Sequence, residues 1–164
     1  MNIYQEEMYV CILDLNTYCK DNFYFLDTKP NIVVEGIFTK VIYTDQSFTL
    51  NGTYFSLPLV IESNLGNDNY VQFNPTIDQN NRLINTVNEM ELTILDNYSQ
   101  FSKLKKKTPV YSITKHLNCG KFKINFREYN KIHRNFILKI SGIWETNTEY
   151  GITYKIIEGE HLFT

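Results

Sequence analysis

The chain reads as an all-β domain, a small OB-like barrel, with a β-sandwich or jelly roll as the alternative. Three observations point there. The 164 residues include no alanine, the best helix former, whereas Tyr, Phe, Ile, Val and Thr, which suit a pleated surface, are abundant. Short apolar runs recur between turn signals, with no long amphipathic helix and no internal repeat of roughly 20 to 50 residues. A long leading apolar segment is broken by Gly36, as a bulge or tight bend would require. Twelve Tyr and eleven Phe supply the core of a chain long enough to bury about two thirds of its unfolded surface.

Taken in order, residues 1 to 30 gather acidic and aromatic side chains around Tyr9-Val10-Cys11-Ile12-Leu13. They are either an N-terminal extension that meets a partner or a first strand, and residues 31 to 164 form the domain proper. Residues 32 to 43 predict one long strand, ended by a turn at Asp45-Gln46. Asn51-Gly52 lies between two apolar alternating runs and predicts a two-residue hairpin, since both residues tolerate φ > 0. Pro58 puts the second arm at a sheet edge or marks its end. Asn, Asp, Gly and Pro make residues 64 to 88 a loop, with a strand fragment at Tyr70-Val71-Gln72-Phe73. In residues 89 to 95, Met90 and Leu92 alternate with Glu91 and Thr93, which suits a strand or a short helix. A lysine cluster at 103 to 107 runs into Thr108-Pro109 and predicts a mobile loop. Residues 110 to 117 resume strand character, residues 121 to 127 have a strict period of two, and residues 136 to 144 and 150 to 157 form a terminal hairpin.

The net charge of -2 conceals an asymmetry. Residues 103 to 139 hold eleven of the sixteen Lys and Arg but only one of the eighteen acidic residues. Residues 1 to 102 carry four basic and thirteen acidic groups, and residues 140 to 164 carry one and four. A concentrated positive segment needs an anionic counterpart: nucleic-acid phosphates, an anionic membrane, or the acidic part of the same protein.

Alternation in residues 121 to 127 puts Lys121, Lys123, Asn125 and Arg127 on one face and Phe122, Ile124 and Phe126 on the other. Lys115, Lys131, His133, Arg134 and Lys139 extend the positive region, and the loop lysines Lys103, Lys105, Lys106 and Lys107 reach beyond it. Tyr111 and Tyr129 supply rings in the same stretch. Cations for phosphates and rings for unstacked bases are the two components of a single-strand binding surface. The bland alternative is a solvated edge of lysines over a core of aromatics, and for Phe122 and Phe126 core is the better assignment. A regular strand would put Trp144 on the buried face with Phe136, Leu138 and Ile140; a perturbation at Gly142 would free it to stack on a base.

Motifs for catalysis and cofactors are absent. No Walker lysine loop, G-x-G-x-x-G, G-x-S-x-G or H-E-x-x-H occurs, and the carboxylates are scattered, so the chain reads as non-enzymatic with no cofactor. His116 and Cys119 form an H-x-x-C unit without a second pair at ligand spacing, which leaves a small metal-dependent enzyme as a remote alternative. Three widely spaced cysteines do not form a disulfide framework and fit reduced thiols. With no positive leader and no long apolar run, the chain reads as intracellular, not secreted, and without a membrane partner.

Leu138-Lys139-Ile140-Ser141-Gly142-Ile143-Trp144-Glu145, followed by Tyr150-Gly151-Ile152-Thr153-Tyr154-Lys155, resembles the terminal hairpin of single-stranded-DNA-binding proteins of large DNA viruses. The resemblance covers about twenty residues. It implies an OB-like fold, DNA as the preferred nucleic acid, protection of replication or recombination intermediates, and a place in the host cell nucleus or at a viral replication site. The tail from Glu158 to Thr164 is similar to the acidic, aromatic-ended tails that recruit replication proteins, although it has two acids and ends on Thr. The acidic N-terminal part of one copy meeting the basic segment of another would give a homo-oligomer. The competing expectation is a viral structural or interaction module, a β-sandwich whose basic segment docks an acidic protein surface.

Overall fold

A computed structural model describes residues 11 to 33, 35 to 61, 70 to 103, 106 to 123 and 135 to 159. Strands dominate, and seven of them form one mixed sheet. In chain order they are β1 (Phe23–Pro30), β2 (Ile37–Thr44), β3 (Thr49–Leu50), β4 (Thr53–Leu57), β5 (Tyr70–Gln72), β6 (Thr108–Val110), β7 (Lys121–Lys123), β8 (Asn135–Glu145) and β9 (Glu149–Gly159). The main path is β1-β2-β8-β9-β6, with β3 on β2 and β4 on β8, while β5 and β7 pair separately. All contacts are antiparallel except β6 against β9. The two ends of the path, β1 and β6, do not pair, so among the described residues no closed barrel forms.

Strand β8 organises the sheet. Its first half pairs with β4 and its second with β2 on one side, and β9 runs along the other. The register slips at Ser141, between Ile140 and Gly142. A bulge there inserts one residue and reverses the side-chain phase. Phe136, Leu138 and Ile140 are buried before it, and Ile143 and Glu145 after it.

Two helices, α1 (Asp78–Phe101) and α2 (Ser112–Asn118), complete the fold. Helix α1 occupies what the sequence reads as loop up to residue 88, and takes the helical alternative to a strand over residues 89 to 95. Its Asn-rich exposed side hides an apolar stripe of Ile84, Val87, Met90, Ile94, Leu95 and Tyr98, spaced three or four apart and buried against the sheet. Asn80 is also buried, its side chain accepting from Val60 N and donating to the carbonyls of Val60 and Asn74. Helix α2 replaces most of the strand expected at 110 to 117. Buried Glu91 of α1 accepts from Ile113 N, Thr114 N and Thr114 Oγ1 at 2.7–2.9 Å, satisfying amides that a local cap would otherwise serve.

Two turns differ from expectation. Asn31, Ile32, Val33, Glu35 and Gly36 lie outside the strands rather than in one long strand, with Asn31 N bonded to Gly36 O at 3.0 Å; Val34 lies outside the described residues. Gly36 has φ +154°, and an added Cβ would lie 2.0 Å from Glu145 O, so it makes the tight bend and admits no side chain. Asn51-Gly52 does not close a β3–β4 hairpin: β3 pairs with β2 and β4 with β8, so the positive φ of Gly52 redirects the chain between neighbours. The hairpin lies at Asp45 instead, whose Oδ1 accepts from Ser47 N and Phe48 N. At the N-terminal end, Leu15 and Phe23 enter the core, and Leu13 bonds the free edge of β4.

Candidate nucleic-acid interface

The basic segment does not stay together as one surface. In the small sheet, Phe122 and Val71 are buried, whereas Lys121 and Lys123 are exposed opposite Gln72 and Tyr70 in register. Register partners share a face, so the exposed side carries two lysines, an amide and a half-exposed ring. Phe122 packs edge-on against Phe136 at 5.1 Å, which fixes this sheet on the core side of β8. Lys115 is exposed on α2, and Lys106 is exposed ahead of β6. Tyr111 lines a groove of about 450 Å³ with Pro109, Tyr150 and Asp96, and burial raises its pKa above the ordinary tyrosine value. Lys105, Arg127, Tyr129, Lys131 and Arg134 lie outside the described residues.

Lys107 is not a free cation. Its ammonium pairs with Glu145 and donates to Thr146 O at 2.6 Å. The other oxygen of Glu145 accepts from Tyr98 Oη at 2.7 Å, Tyr98 Oη lies 3.1 Å from Thr39 Oγ1, and Thr39 Oγ1 lies 3.0 Å from Thr28 Oγ1. This chain of bonds crosses the helix-covered side of the sheet, where a carboxylate is tolerable only when its oxygens are satisfied. The lysine loop expected to be mobile is therefore anchored at Lys107. Burial, above all, raises the Tyr98 pKa.

Among the described residues, no helix packs on the opposite side of the sheet. Inward-facing Thr39, Val41, Phe55, Leu138, Ile140, Ile143 and Ile152 are buried, and their strand neighbours face out. Because of the bulge at Ser141, Trp144 belongs to the outward set rather than with Phe136, Leu138 and Ile140. Three rows of outward residues follow from the register. Phe38, Trp144 and Gly151 form the first, Lys40, Gly142 and Thr153 the second, and Tyr54, Lys139 and Lys155 the third.

Two glycines serve as seats for rings. A Cβ at Gly142 would lie 2.4 Å from the Phe38 ring, and one at Gly151 would lie 2.8 Å from the Trp144 ring, so each aromatic lies across backbone that a side chain would occupy. Lys139 Nζ stands 5.2 Å from the Tyr54 centroid, a cation–π contact that holds ring and charge side by side. Strands lie about 4.8 Å apart and same-face residues about 7 Å apart along a strand, so these rings and ammonium groups share one face within a few such steps of one another. The described residues form only two ion pairs, Arg82–Asp78 and Lys107–Glu145. Lys40, Lys139 and Lys155 thus have no carboxylate partner among them.

Phe38, Lys40, Tyr54 and Lys155 escape a search for dense charge because they come from three separate strands, β2, β4 and β9, outside the basic segment. The signal that finds them is phase: each lies opposite the apolar set in its own period-two segment. His116, of the H-x-x-C unit, has Nδ1 2.9 Å from Tyr154 Oη, and among the described residues no three His, Cys, Asp or Glu side chains cluster to hold a metal. Tyr154 also donates to Ser112 O, and burial, with the Glu91 charge second, pushes its pKa up to about 12. Among the described residues, no helix is long and apolar enough to cross a membrane. No protein-family model, curated protein or solved structure matches the chain.

Proposed function

We propose that this chain binds single-stranded nucleic acid, DNA in preference to RNA, without catalysing a reaction and with little base specificity, and that it protects replication or recombination intermediates. The observation that carries this reading is the open sheet face, on which Lys40, Lys139 and Lys155, without an ion-pair partner among the described residues, are interleaved with the rings of Phe38, Tyr54 and Trp144. Ammonium groups neutralise phosphates, rings accept any base by stacking, and neither reads sequence. Exposed Lys121, Lys123, Lys115 and Lys106 supply further contacts for strand leaving that face. Lys107 is dropped from the binding set because Glu145 holds it. The DNA preference and a viral setting, nuclear or at a replication site, rest on the resemblance of residues 138 to 155. Replication proteins as partners and self-association belong to the same proposal. An OB-like architecture remains part of it too, supported by the long bulged β8, which pairs with β2 and β4 on one side and β9 on the other.

The test is a salt titration of binding to an unstructured oligonucleotide, where the log-log slope should be about -0.7 per phosphate contacted. K40E/K139E/K155E should abolish binding and K121E/K123E should weaken it. If only the second variant loses affinity, the site moves to the small sheet. No binding at low salt ends the proposal, and equal or tighter binding to duplex rejects the single-strand preference.

A further inference from the structure

Lys139 of β8 and Lys155 of β9 are register partners on the open face, so two ammonium groups extend from directly opposed backbone positions. Like charges opposite each other across a strand pair repel, and an anion between them relieves the repulsion. Among the described residues the fold supplies no such anion. The outward rows that flank the pair hold Lys40, Gly142 and Thr153 on one side and Ser56, Ile137 and Ile157 on the other, and neither lysine enters an ion pair. The two side chains differ in freedom. Lys139 is half-buried, its Nζ 5.2 Å from the Tyr54 centroid and its Cε 3.8 Å from where a Cβ on Gly52 would stand, so its charge is held against the ring. Lys155 is exposed, and its flexible stem is free to swing onto whatever Lys139 holds.

A fixed cation and a mobile one at a single point match two negative charges at a single point. An internal phosphodiester carries one, whereas a phosphomonoester carries about -1.5 to -2 near pH 7, spread over three acceptor oxygens. Resting on the single-strand reading above, we infer that Lys139 and Lys155 together form a seat for the phosphorylated end of a strand. The preferred ligand is then single-stranded nucleic acid with a terminal phosphomonoester. The row of Phe38, Trp144 and Gly151 lies two same-face steps away along β8, about 14 Å, and takes its residues from β2, β8 and β9 without a cation among them. Bases stack there while the lysines hold the end.

The experiment measures binding of one unstructured oligonucleotide with hydroxyls at both ends, with a 5′-phosphate, with a 3′-phosphate, and with each terminal phosphate capped as its methyl diester. Wild type should bind one of the phosphorylated forms about fivefold tighter than the hydroxyl form, the gain expected from two exposed ion pairs. The capped form should fall back to within about twofold of the hydroxyl form. K139M/K155M should bind every form more weakly and lose the preference among them, whereas K40M should weaken every form alike and keep it. Removing a repelling pair spares the fold, which an unfolding midpoint no lower than that of wild type verifies. Equal wild-type affinity for phosphorylated and hydroxyl ends overturns the seat and leaves the single-strand reading standing. A preference that survives in K139M/K155M also overturns it, placing end recognition elsewhere. So does a capped phosphate bound as tightly as a free one, since one charge then suffices. A nucleoside monophosphate that competes as well as the phosphorylated strand makes the free nucleotide the ligand and overturns it too. Failure of wild type to bind any form of the oligonucleotide removes both the reading and the seat.

Discussion

The two faces of the main sheet treat charge in opposite ways. On the face covered by α1 and α2, Lys107, Glu145, Tyr98, Thr39 and Thr28 are bonded to one another, and Glu91 is spent on the α2 amides. On the open face, Lys139 stands over the Tyr54 ring, and Lys40, Lys139 and Lys155 form no ion pair among the described residues. Lys107 and Lys139 both come from the same basic stretch of sequence, yet one is a structural ion and the other an available one. Position relative to the sheet, more than local charge density, decides whether a lysine stabilises the fold or is free to meet a phosphate.

The largest effect should come from the covered face. K107M leaves Glu145 buried with its partner gone and should cost about 3 kcal/mol of unfolding free energy. That is the low end for a broken buried pair, because the Lys107 side chain keeps 25% of its surface in water. K139M, on the open face, should stay within about 0.5 kcal/mol. Denaturant unfolding of the two variants measures this directly; similar losses would erase the distinction between the faces.

The second effect should come from the rings. W144A removes one stacking platform, worth about 1 to 3 kcal/mol per base, so single-strand affinity should fall about tenfold. The salt slope should not move, since no cation has been lost. A W144A variant that loses stability but binds as before would make the indole a cover for Gly151 rather than a contact for bases.

How much of this was legible in the sequence depended on whether the cause was local. The β8–β9 hairpin, the Asp45 turn and the burial of Phe122 between exposed Lys121 and Lys123 follow from period-two alternation and turn chemistry. Helix α1 was hidden because its exposed side includes Asp78, Asn81, Asn85 and Asp96, whose composition signals loop, and only the spacing of Ile84, Val87, Ile94 and Tyr98 betrays it. Helix α2 depends on a carboxylate more than twenty residues upstream, a non-local cap that no window can see. Trp144 turned outward because of one extra residue at Ser141, and Gly142 was the only local hint. The open face as a binding surface required the register of four strands, so its members were individually unremarkable lysines and aromatics. The ion pair of Lys107 with Glu145 joins residues 38 apart and had no sequence signal.

The smallest effect sharpens the comparison on the covered face and depends on pH. Burial lifts the Tyr154 phenol from 10.0 to about 12, so the folded chain holds this proton more tightly than the unfolded chain. Between those values the unfolded state ionises first, binds fewer protons and gains, so stability is full below about pH 10 and falls as pH rises toward 12. Y154F removes this titration, along with the bonds to Ser112 O and His116 Nδ1, which should cost about 1 kcal/mol at neutral pH. The stability gap between wild type and Y154F should therefore be widest below about pH 10 and narrow toward pH 12, as ionisation takes from the wild type what the substitution has already taken from the variant. Chemical denaturation of both proteins at intervals across that range reads the gap. A gap independent of pH would mean that the Tyr154 hydroxyl is solvated, and that the covered face is more open to water than its packing shows.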